Sequence, residues 1–526
     1  MQIAAASLSC SAPMPPRLTG LHGADTIVVG AGSSGAVIAA RMTERSENEV
    51  LLLEAGPDYP PGSDYPADLA DGTRNSLKAH DWGFRHKPNS KQVVFPLPRG
   101  RVVGGSSAVN TCIAIRGVPS DYDEWASLGL PEWSWDRCLP AFRRLERDLD
   151  VRNEFHGTDG PLPIRRHPPS ELVPWQAAFL EACASAGHPR CDDHNDPRAK
   201  GWGPHAMNKI DGRRISAAEA WLTREVRARK NLRIQPHTLV RRVIFENRRA
   251  IGVEVEIDGA VAFVPAKKVV LTAGAIATPG ILLRSGVGPA AELARLGVEA
   301  VADVAAVGAR LLDHPGSAFF LWPKRGIVKR HHPIIQTALR LRSPGSDHEN
   351  DVQIQAGSIV HTPFGVLPMV SLMVQVGKPR GHGLIRFPSA DPKAKPIITS
   401  RLLDNDDDRH VAVFGLSIAR NIAAEPATRD LATAVWPIDR VLGRRDALDR
   451  WVRRISDSGY HPSGTVPMGR DGAPDAALDS HGRVRGVERL VVADASVMPT
   501  IPTANTHLPT LMIGERFGAW LRDGVI

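Results

Sequence analysis

The sequence predicts an α/β fold made of a Rossmann-like domain and a second, α+β domain with a mainly antiparallel sheet. Residues 25–29 (DTIVV) are a short apolar run, followed by GAGSSG, a helical pattern and a second apolar run, EVLLLEAG. Far along the chain, the alternation of apolar residues in PMVSLMVQVG (368–377) predicts a half-buried strand. The length of 526 residues allows two large domains.

The composition excludes several classes of protein. Hydrophobic residues (42%) and charged residues (23%) lie near globular averages, which excludes a disordered or fibrous chain. The net charge of +8 is spread without like-charge blocks, so we expect no nucleic-acid partner. The sequence has no apolar run of 18 residues, so it predicts no membrane-spanning helix. The number of cysteines, five, is odd and their spacing does not suit a metal site, so they favour a reducing compartment. No Lys or Arg precedes the apolar N-terminal stretch, so we expect no secretory signal. Together these features predict a cytoplasmic protein.

The segment GAGSSG has the spacing of a dinucleotide-binding turn between a strand and a helix. Gly30 permits the tight turn, Gly32 lets the backbone approach a pyrophosphate, and Gly35 lets the helix pack closely on the sheet. Ser33 and Ser34 begin the helix, where free N–H groups and the positive end of the helix dipole suit phosphates.

An acidic residue at the end of the second strand completes this pattern. Glu54 lies 24 residues after Gly30, close to the usual ~20, and can accept hydrogen bonds from a ribose diol. The segment therefore predicts a dinucleotide site and by itself leaves FAD and NAD open. Its ending, Glu54-Ala55-Gly56, favours FAD.

The next motifs resemble the glucose–methanol–choline (GMC) flavin oxidoreductases. Residues 99–125 (RGRVVGGSSAVNTCIAIRGVPSDYDEW) resemble that family's signature, in which GGSS-x-x-N is followed by R-G and D-[YF]-D-x-W. Four later blocks resemble further family segments in the same order: GAIATPGILLRSGVGP (274–289), VGARLLDHP (307–315), YHPSGTVPMG (460–469) and VVADASVMPTIPTANTHLPTLMIGER (491–516). Within the family, DGRRISAAEAWL (211–222) and the C-terminal PTANTHLPTLM resemble small bacterial alcohol oxidases.

Two residues depart from the family pattern. Arg310 stands where the family usually has Asn in VGxNLxDHP, and PRGHG (379–383) replaces the more usual P-x-S-R-G. We expect both departures to affect local packing or pocket shape rather than the class of reaction.

The resemblance implies a pair of catalytic histidines. Oxidation of an alcohol by a flavin removes the hydroxyl proton and moves a hydride from carbon to flavin N5, so the protein must supply a base. Histidine suits this role, and a positioned base is worth ~10²–10⁴-fold in rate. The resemblance implies that His461 is the base and that His507 holds the alkoxide oxygen. We predict a loop around His507, because prolines punctuate residues 499–509.

The resemblance also implies the contacts to FAD. We expect noncovalent binding, because residues 95–101 (FPLPRGR) lack the His through which some relatives link their flavin. A carboxylate near a phosphate is unfavourable, so we expect the Asp494 carboxylate to form hydrogen bonds with neutral groups. The implied cofactor-binding residues are Gly30, Gly32, Ser33, Ser34, Gly35, Glu54, Ala55, Arg101, Val103, Gly104, Gly105, Ser106, Asn110, Val240, Ala273, Gly274, Asp494, Ala495, Asn505 and Thr506.

Four further candidates have simpler interpretations. His314 aligns with a family residue that is mostly structural. The pair His331-His332 lacks a third ligand, and we predict no metal site. Cys112 is interpreted as a packed thiol rather than a nucleophile. The run DNDDD (404–408) lacks the Gly and Glu of a calcium loop and predicts a solvated helix start.

The scattered motifs imply a flavin domain built from distant segments. Its predicted parts are residues 24–150, 205–315 and 465–526; the substrate domain takes 151–204 and 316–464, and residues 1–23 form a flexible extension. We expect LIRF (384–387) and PIIT (396–399) to join strand 368–377 in a sheet over the active face of the flavin. On that strand, Met373 and Gln375 point the same way, and we predict that they line the substrate pocket with Tyr460.

Together these features predict FAD-dependent oxidation of a primary alcohol to an aldehyde. The predicted substrate is an aryl or heteroaryl hydroxymethyl compound, with O2 as acceptor giving H2O2. The alternatives are a dehydrogenase of choline, sugars or polyols that uses another acceptor, a hydroxynitrile lyase on the same fold, an NAD-dependent reductase and a noncatalytic binding protein.

Overall fold

A computed structural model describes residues 22–362, 365–437 and 443–526. The predicted flexible extension falls almost entirely on residues 1–21, outside the described residues, as does Cys10. Within the described ranges, no helix is both long and apolar enough to cross a lipid bilayer.

The first large sheet is the nucleotide-binding sheet. Its strands, in spatial order, are Leu232–Gln235, Val50–Leu53, Ala24–Val29, Ala260–Leu271, Arg249–Ile257 and Leu239–Glu246, and Leu490–Val492 pairs with Ala260–Leu271. The central strands are parallel, with Val28 beside Leu52 and Val270, and they are buried on both faces. Strands from distant parts of the chain therefore share one sheet, which confirms the predicted Rossmann-like unit built from separate segments.

The helix Ser33–Met42 connects the first two parallel strands, as the glycine pattern predicts. Its small side chains let it lie between the nucleotide-binding sheet and the C-terminal helix His507–Arg522. A Cβ on Gly35 would stand 1.9 Å from the carbonyl oxygen of Gly30, so the close helix–strand approach requires glycine there.

The second large sheet is the antiparallel sheet. Its strands, in spatial order, are Ala432–Trp436, Pro315–Pro323, Val370–Val376, Val352–Gly357, Thr337–Leu341 and Gly201–Pro204, and Asp457–Ser458 pairs with Pro315–Pro323. The alternation read from the sequence is confirmed: Leu372 and Val374 pack in the core with the helix Asp406–Ala424, while Met373 and Gln375 face the other side. Asn405 caps that helix, confirming the predicted helix start.

One expectation about this sheet is wrong. Residues 384–387 and 396–399 do not join it; they form a separate four-stranded sheet, in the order Leu384–Arg386, Ile397–Thr399, Arg85–Lys87 and Phe95–Pro96. Paired backbone hydrogen bonds of 2.9 and 2.8 Å between Leu311 and Gly383 hold the chain beside the nucleotide-binding domain just before Leu384. That tertiary pairing decides which partner these short strands find.

Smaller elements complete the described chain. The remaining two-stranded pairs are Glu146–Asp148 with Leu162–Ile164, Lys209–Ile210 with Arg213–Arg214, Val287–Gly288 with Ala302–Asp303, and Val360–Thr362 with Gly365–Leu367. The other α-helices are Ala67–Ala70, Pro119–Ser127, Trp135–Leu145, Pro174–Ser185, Ala217–Trp221, Arg224–Arg227, Gly274–Arg284, Ala290–Leu296, Pro426–Arg429 and Arg445–Ile455. Short 3-10 helices lie at Gly105–Ala108, Pro131–Trp133, Pro169–Glu171 and Ala495–Val497.

Candidate active site

A cavity of about 520 Å³ lies where the parallel strands end. Gly30 and Glu54 line one region of it, and Tyr460 and His461 line another. This is the edge at which open α/β sheets bind their ligands. The predicted residues that line the cavity are Gly30, Gly32, Ser33, Ser34, Glu54, Ala55, Arg101, Gly105, Ser106, Asn110, Val240, Ala273, Gly274, Tyr460, His461, Asp494, Ala495, Asn505, Thr506 and His507.

Three predicted residues support the cavity from behind its wall. Gly35 lies against Gly30, as described above. Gly104, at φ +103°, donates its N–H to the Ala31 oxygen at 2.7 Å, and the N–H of Val103 bonds the Pro57 oxygen at 2.9 Å. These bonds press the small-residue loop onto the first glycine turn, so closely that a Cβ on Gly105 would lie 2.7 Å from the Gly32 Cα.

Glu54 is held in place by backbone donors. Its carboxylate accepts the N–H of Ala31 at 3.0 Å and that of Gly56 at 2.9 Å. Burial raises the pKa of Glu54 to about 7. The carboxylate keeps further lone pairs for hydroxyl donors in the cavity, as its predicted ribose contact requires.

Asp494 satisfies the condition set by its position near phosphate. One carboxylate oxygen accepts the backbone N–H and the hydroxyl of Ser496, at 2.8 and 2.5 Å. The other accepts the N–H of Gly274 and the hydroxyl of Thr278, at 2.8 and 2.7 Å. All four partners are neutral, and burial raises the pKa of Asp494. The residue therefore orders the strand ends without placing an unscreened charge in the cavity.

The backbone around His461 is fixed by one buried carboxylate. Asp313 accepts the N–H of His461 at 2.9 Å and the hydroxyl of Ser458 at 2.5 Å. The Ser458 oxygen in turn accepts the N–H of Tyr460 at 2.7 Å. Tyr460 has φ +63°, a conformation that is costly for a bulky residue and needs such support. This turn directs His461 and Tyr460 into the cavity.

The hydrogen bonds of His314 determine the tautomer of His461. His314 Nε2 lies 2.9 Å from the carbonyl oxygen of Pro502, which only accepts, so Nε2 carries a proton. Burial lowers the pKa of His314 to about 4, so its ring is neutral and Nδ1 is an acceptor. That Nδ1 lies 2.9 Å from His461 Nδ1, and we assign the shared proton to His461, because a proton on His314 Nδ1 would leave the Pro502 carbonyl without this donor. His461 is left with an unprotonated Nε2.

The Nε2 lone pair of His461 faces Asn505. The Asn505 amide donates to it across 3.1 Å. Burial, the neighbouring His314 and Arg99 lower the pKa of His461 well below its usual value, so the ring is neutral at neutral pH. A neutral imidazole whose lone pair lines a cavity is the arrangement of a general base.

His507 lies at the start of a helix, and the predicted loop is wrong at this residue. The C-terminal helix runs from His507 to Arg522 with Pro509 in its first turn, where a missing N–H removes no helical hydrogen bond. Burial lowers the pKa of His507 to about 4. In the described part of the chain, neither its Nε2 nor the Asn505 amide oxygen has a hydrogen-bond partner, and both residues line the cavity. These polar atoms fit a bound ligand.

The three predicted pocket residues lie in different surroundings. Tyr460 lines the cavity; Met373 packs beside a small apolar cluster that includes Ile113 and Ala504. The amide of Gln375 lies 3.4 Å from His461 Nδ1, behind the base.

Sequence reasoning missed the aromatic wall formed by Trp82 and Phe84, and Arg99 beside it, because no spacing rule links them to the later motifs.

A second buried polar cluster lies outside the cavity. Among the described residues, Glu146, Asp148 and His156 bring ligand atoms within 4.8 Å of one another. Arg116 contacts Glu146, and Arg166 bonds Asp148 at 2.9 Å. Burial by itself would lower the pKa of His156, but hydrogen bonds to the carboxylates outweigh it and raise that pKa to about 10. The cationic side chains compensate the carboxylates, so we interpret the cluster as a buried ion-pair network.

Comparison with known proteins identifies the family. A family model described as GMC oxidoreductase matches residues 24–316, and its C-terminal counterpart matches residues 379–514. This chain is a GMC oxidoreductase. The resemblance of its motifs is thereby confirmed. Proteins of this family use FAD, typically without a covalent bond, and oxidise CH–OH donors.

The relatives of this GMC oxidoreductase are oxidases and dehydrogenases. It is 34% identical to 5-(hydroxymethyl)furfural oxidase of a Methylovorus species, over 94% of this chain and 97% of that protein. It is also 34% identical to the oxygen-dependent choline dehydrogenase of Photobacterium profundum, over 94% of this chain and 92% of that protein. Its fold matches the crystal structure of pyridoxine 4-oxidase from Mesorbium loti with a TM-score of 0.87 and 30% identity, over 94% and 98% of the two chains.

The cavity fits FAD. A Cβ added to Gly32 would meet no chain atom nearer than 3.9 Å, and Gly32 lines the cavity, so its backbone is open to a closely approaching pyrophosphate. Glu54 offers carboxylate oxygens to the same cavity, and His461, with the unpartnered polar atoms of Asn505 and His507, adds polar groups that a ligand can bond.

Alanine substitutions separate the two glycine roles. Gly35→Ala is expected to destabilise the FAD-free protein by about 1–3 kcal/mol, because its Cβ overlaps the Gly30 oxygen. Gly32→Ala is expected to leave the melting temperature of the FAD-free protein unchanged and to lower its FAD content, because its Cβ enters only the cavity. Thermal unfolding without FAD and the FAD-to-protein ratio measure the two effects. The same pattern in both variants would contradict this assignment.

Proposed function

We propose that this enzyme oxidises an uncharged primary alcohol on an aryl or heteroaryl ring to the aldehyde. The observation that carries the proposal is the placement of His461: its Nδ1 contacts His314 at 2.9 Å, and its Nε2 lines the cavity, where a substrate hydroxyl would displace the Asn505 amide from the lone pair and give up its proton. When bound, FAD supplies the acceptor for the hydride. His507, with its unpartnered Nε2, would hold the alkoxide oxygen.

The wall of the cavity supports an aromatic substrate. Tyr460, Trp82 and Phe84 line it and offer apolar ring faces. A flat ring beside the reacting carbon buries its apolar surface against such faces, which aligns the C–H bond without charged contacts.

The same wall argues against a quaternary ammonium substrate such as choline. Arg101 lies 5.2 Å from the centre of the Trp82 ring, and the Lys395 ammonium lies 5.3 Å from that of Phe84, so the chain already places positive charge beside these rings, and that charge would repel a cationic substrate but not a neutral ring. Asp313, the acidic residue that holds the His461 turn, has its carboxylate engaged by hydrogen bonds. A cationic substrate would be desolvated without a counter-charge.

We infer that O2 is the electron acceptor and that H2O2 is the second product. The support is the naming of two relatives as oxidases, 5-(hydroxymethyl)furfural oxidase and pyridoxine 4-oxidase. A dehydrogenase that uses another acceptor is the alternative, and admitting air to the reduced protein separates the two.

The test is the visible spectrum of the purified holoenzyme under anaerobic conditions. Benzyl alcohol is expected to bleach the flavin band, on the order of 10²-fold faster than choline because an uncompensated buried cation costs several kcal/mol. Recovery of the band in air with formation of H2O2 would establish the oxidase, and a band that stays bleached would establish the dehydrogenase. Faster bleaching by choline would overturn the proposed substrate class.

A further inference from the structure

The segment that carries Asn505 and His507 is preceded by five consecutive carbonyls held by side chains. Residues 499–503 contain two prolines and form no regular strand or helix, so their carbonyl oxygens need other partners. The bonds are Arg310 Nη2 to Pro499 at 2.7 Å, Trp125 Nε1 to Thr500 at 3.0 Å, Lys378 Nζ to Ile501 at 3.0 Å, His314 Nε2 to Pro502 at 2.9 Å and Arg340 Nη2 to Thr503 at 2.8 Å.

Arg310 also bonds the segment that carries His461. Its Nε donates to the carbonyl oxygen of Gly464 at 3.2 Å, three residues after the base. The guanidinium thus joins the two segments whose side chains meet in the 3.1 Å contact between Asn505 and His461. A guanidinium holds its donors in a rigid planar fork at the end of a long side chain, whereas asparagine is shorter and a lysine ammonium places its donors on one atom.

The two departures from the family pattern lie next to each other in the fold. Leu311 and Gly383 form an antiparallel bridge. Arg310 precedes Leu311 and His382 precedes Gly383, so these two residues are diagonal neighbours across the bridge, and their side chains lie on the same face. Where the family usually has Asn, this chain has Arg310; where it usually has the arginine of P-x-S-R-G, this chain has His382. Of the two neighbouring positions, this chain thus carries its arginine at 310, whereas the family pattern that its motifs resemble has it at 382.

We propose that Arg310 is a positioning residue that sets His461 against Asn505, and that it replaces the arginine usually found at position 382. The inference rests on the proposed function, because its main readout is flavin reduction by an alcohol. It goes beyond it, because Arg310 lies outside the cavity lining and acts only through the two segments it joins.

The test is a double-mutant cycle in the holoenzyme with Arg310→Asn, His382→Arg and the double variant. Arg310→Asn is expected to slow anaerobic reduction by saturating benzyl alcohol about 10- to 100-fold, because small misplacements of reacting groups cost that much. Its FAD content and half-saturating alcohol concentration are expected to stay near wild type. The double variant is expected to recover to within about threefold of wild type, a coupling that independent sites do not show.

Arg485→Asn is the matched control. Arg485 is also half-buried and donates to the carbonyl oxygens of Gly469 and Ala473, which lie 8 and 12 residues beyond His461 and outside residues 499–507, so its loss is expected to lower stability without slowing flavin reduction. Arg310→Lys retains the positive charge and N–H donors on a single atom but not the rigid fork, and it is expected to be intermediate; it also serves if the asparagine variant fails to fold. Reduction by the wild type tests the proposed function separately. Unchanged reduction in Arg310→Asn, an equal slowing in Arg485→Asn, or no recovery in the double variant would overturn the inference.

Discussion

Flavin reduction by the alcohol is expected to fall by at least about 10²–10⁴-fold when His461 is replaced by alanine. The substitution removes the Nε2 lone pair, to which Asn505 donates at 3.1 Å, and the other neutral imidazole of the cavity, His507, is assigned to the alkoxide oxygen and not to the proton. The variant is expected to keep its FAD and its yellow colour, because we assign FAD binding mainly to the glycine turns and Glu54 and not to His461. Anaerobic stopped-flow reduction measures the effect. Reduction near wild-type speed would show that the base has been assigned wrongly.

Two comparisons make this expectation specific. His507→Asn keeps a polar side chain that can hold the alkoxide oxygen, so a loss of no more than about tenfold is expected. The wild-type rate should stay flat well below pH 6.5, because a base works in its neutral form and burial lowers the pKa of His461 well below that value. A rate that falls as the pH drops through 6.5 would contradict a buried neutral base.

The nucleotide-binding unit was readable from the sequence because its signals are local. Strand 25–29, the glycine turn and Glu54 lie within 30 residues, and each glycine has a steric reason that the structure shows at Gly30 and Gly35. The positions of His461, Asn505 and His507 came from the family resemblance, since a lone histidine carries no periodic signal. The structure then adds their mutual contacts.

Other features depended on tertiary contacts that no local pattern encodes. His314 and His461 are 147 residues apart, and only the fold reveals that their Nδ1 atoms meet at 2.9 Å. Pro509 read as a helix breaker, whereas in the first turn of a helix it removes no hydrogen bond. Strands 384–386 and 397–399 found a different sheet because Gly383 was already paired with Leu311.

Glutamine in place of His314 is expected to slow flavin reduction on the order of 10²-fold or more, whereas asparagine is expected to retain most of the rate. The two amides imitate different ring nitrogens. Asparagine sets its oxygen near the place of Nδ1 and can accept the His461 Nδ1 proton, although it gives up the bond to Pro502. Glutamine reaches Pro502 instead and presents no acceptor to His461.

The reason for the difference is the tautomer of His461. Without an acceptor for its Nδ1 proton, His461 can carry that proton on Nε2 instead, and it then has no lone pair there with which to act as a base. In the Ser-His-Asp triad, the wrong histidine tautomer lowers the rate about 10⁴-fold. The measurement is single-turnover reduction of both variants, with FAD content and melting temperature as controls for packing. If the glutamine variant is as fast as the asparagine variant, or faster, His314 serves only to hold the Pro502 carbonyl, and the tautomer of His461 is set by another group.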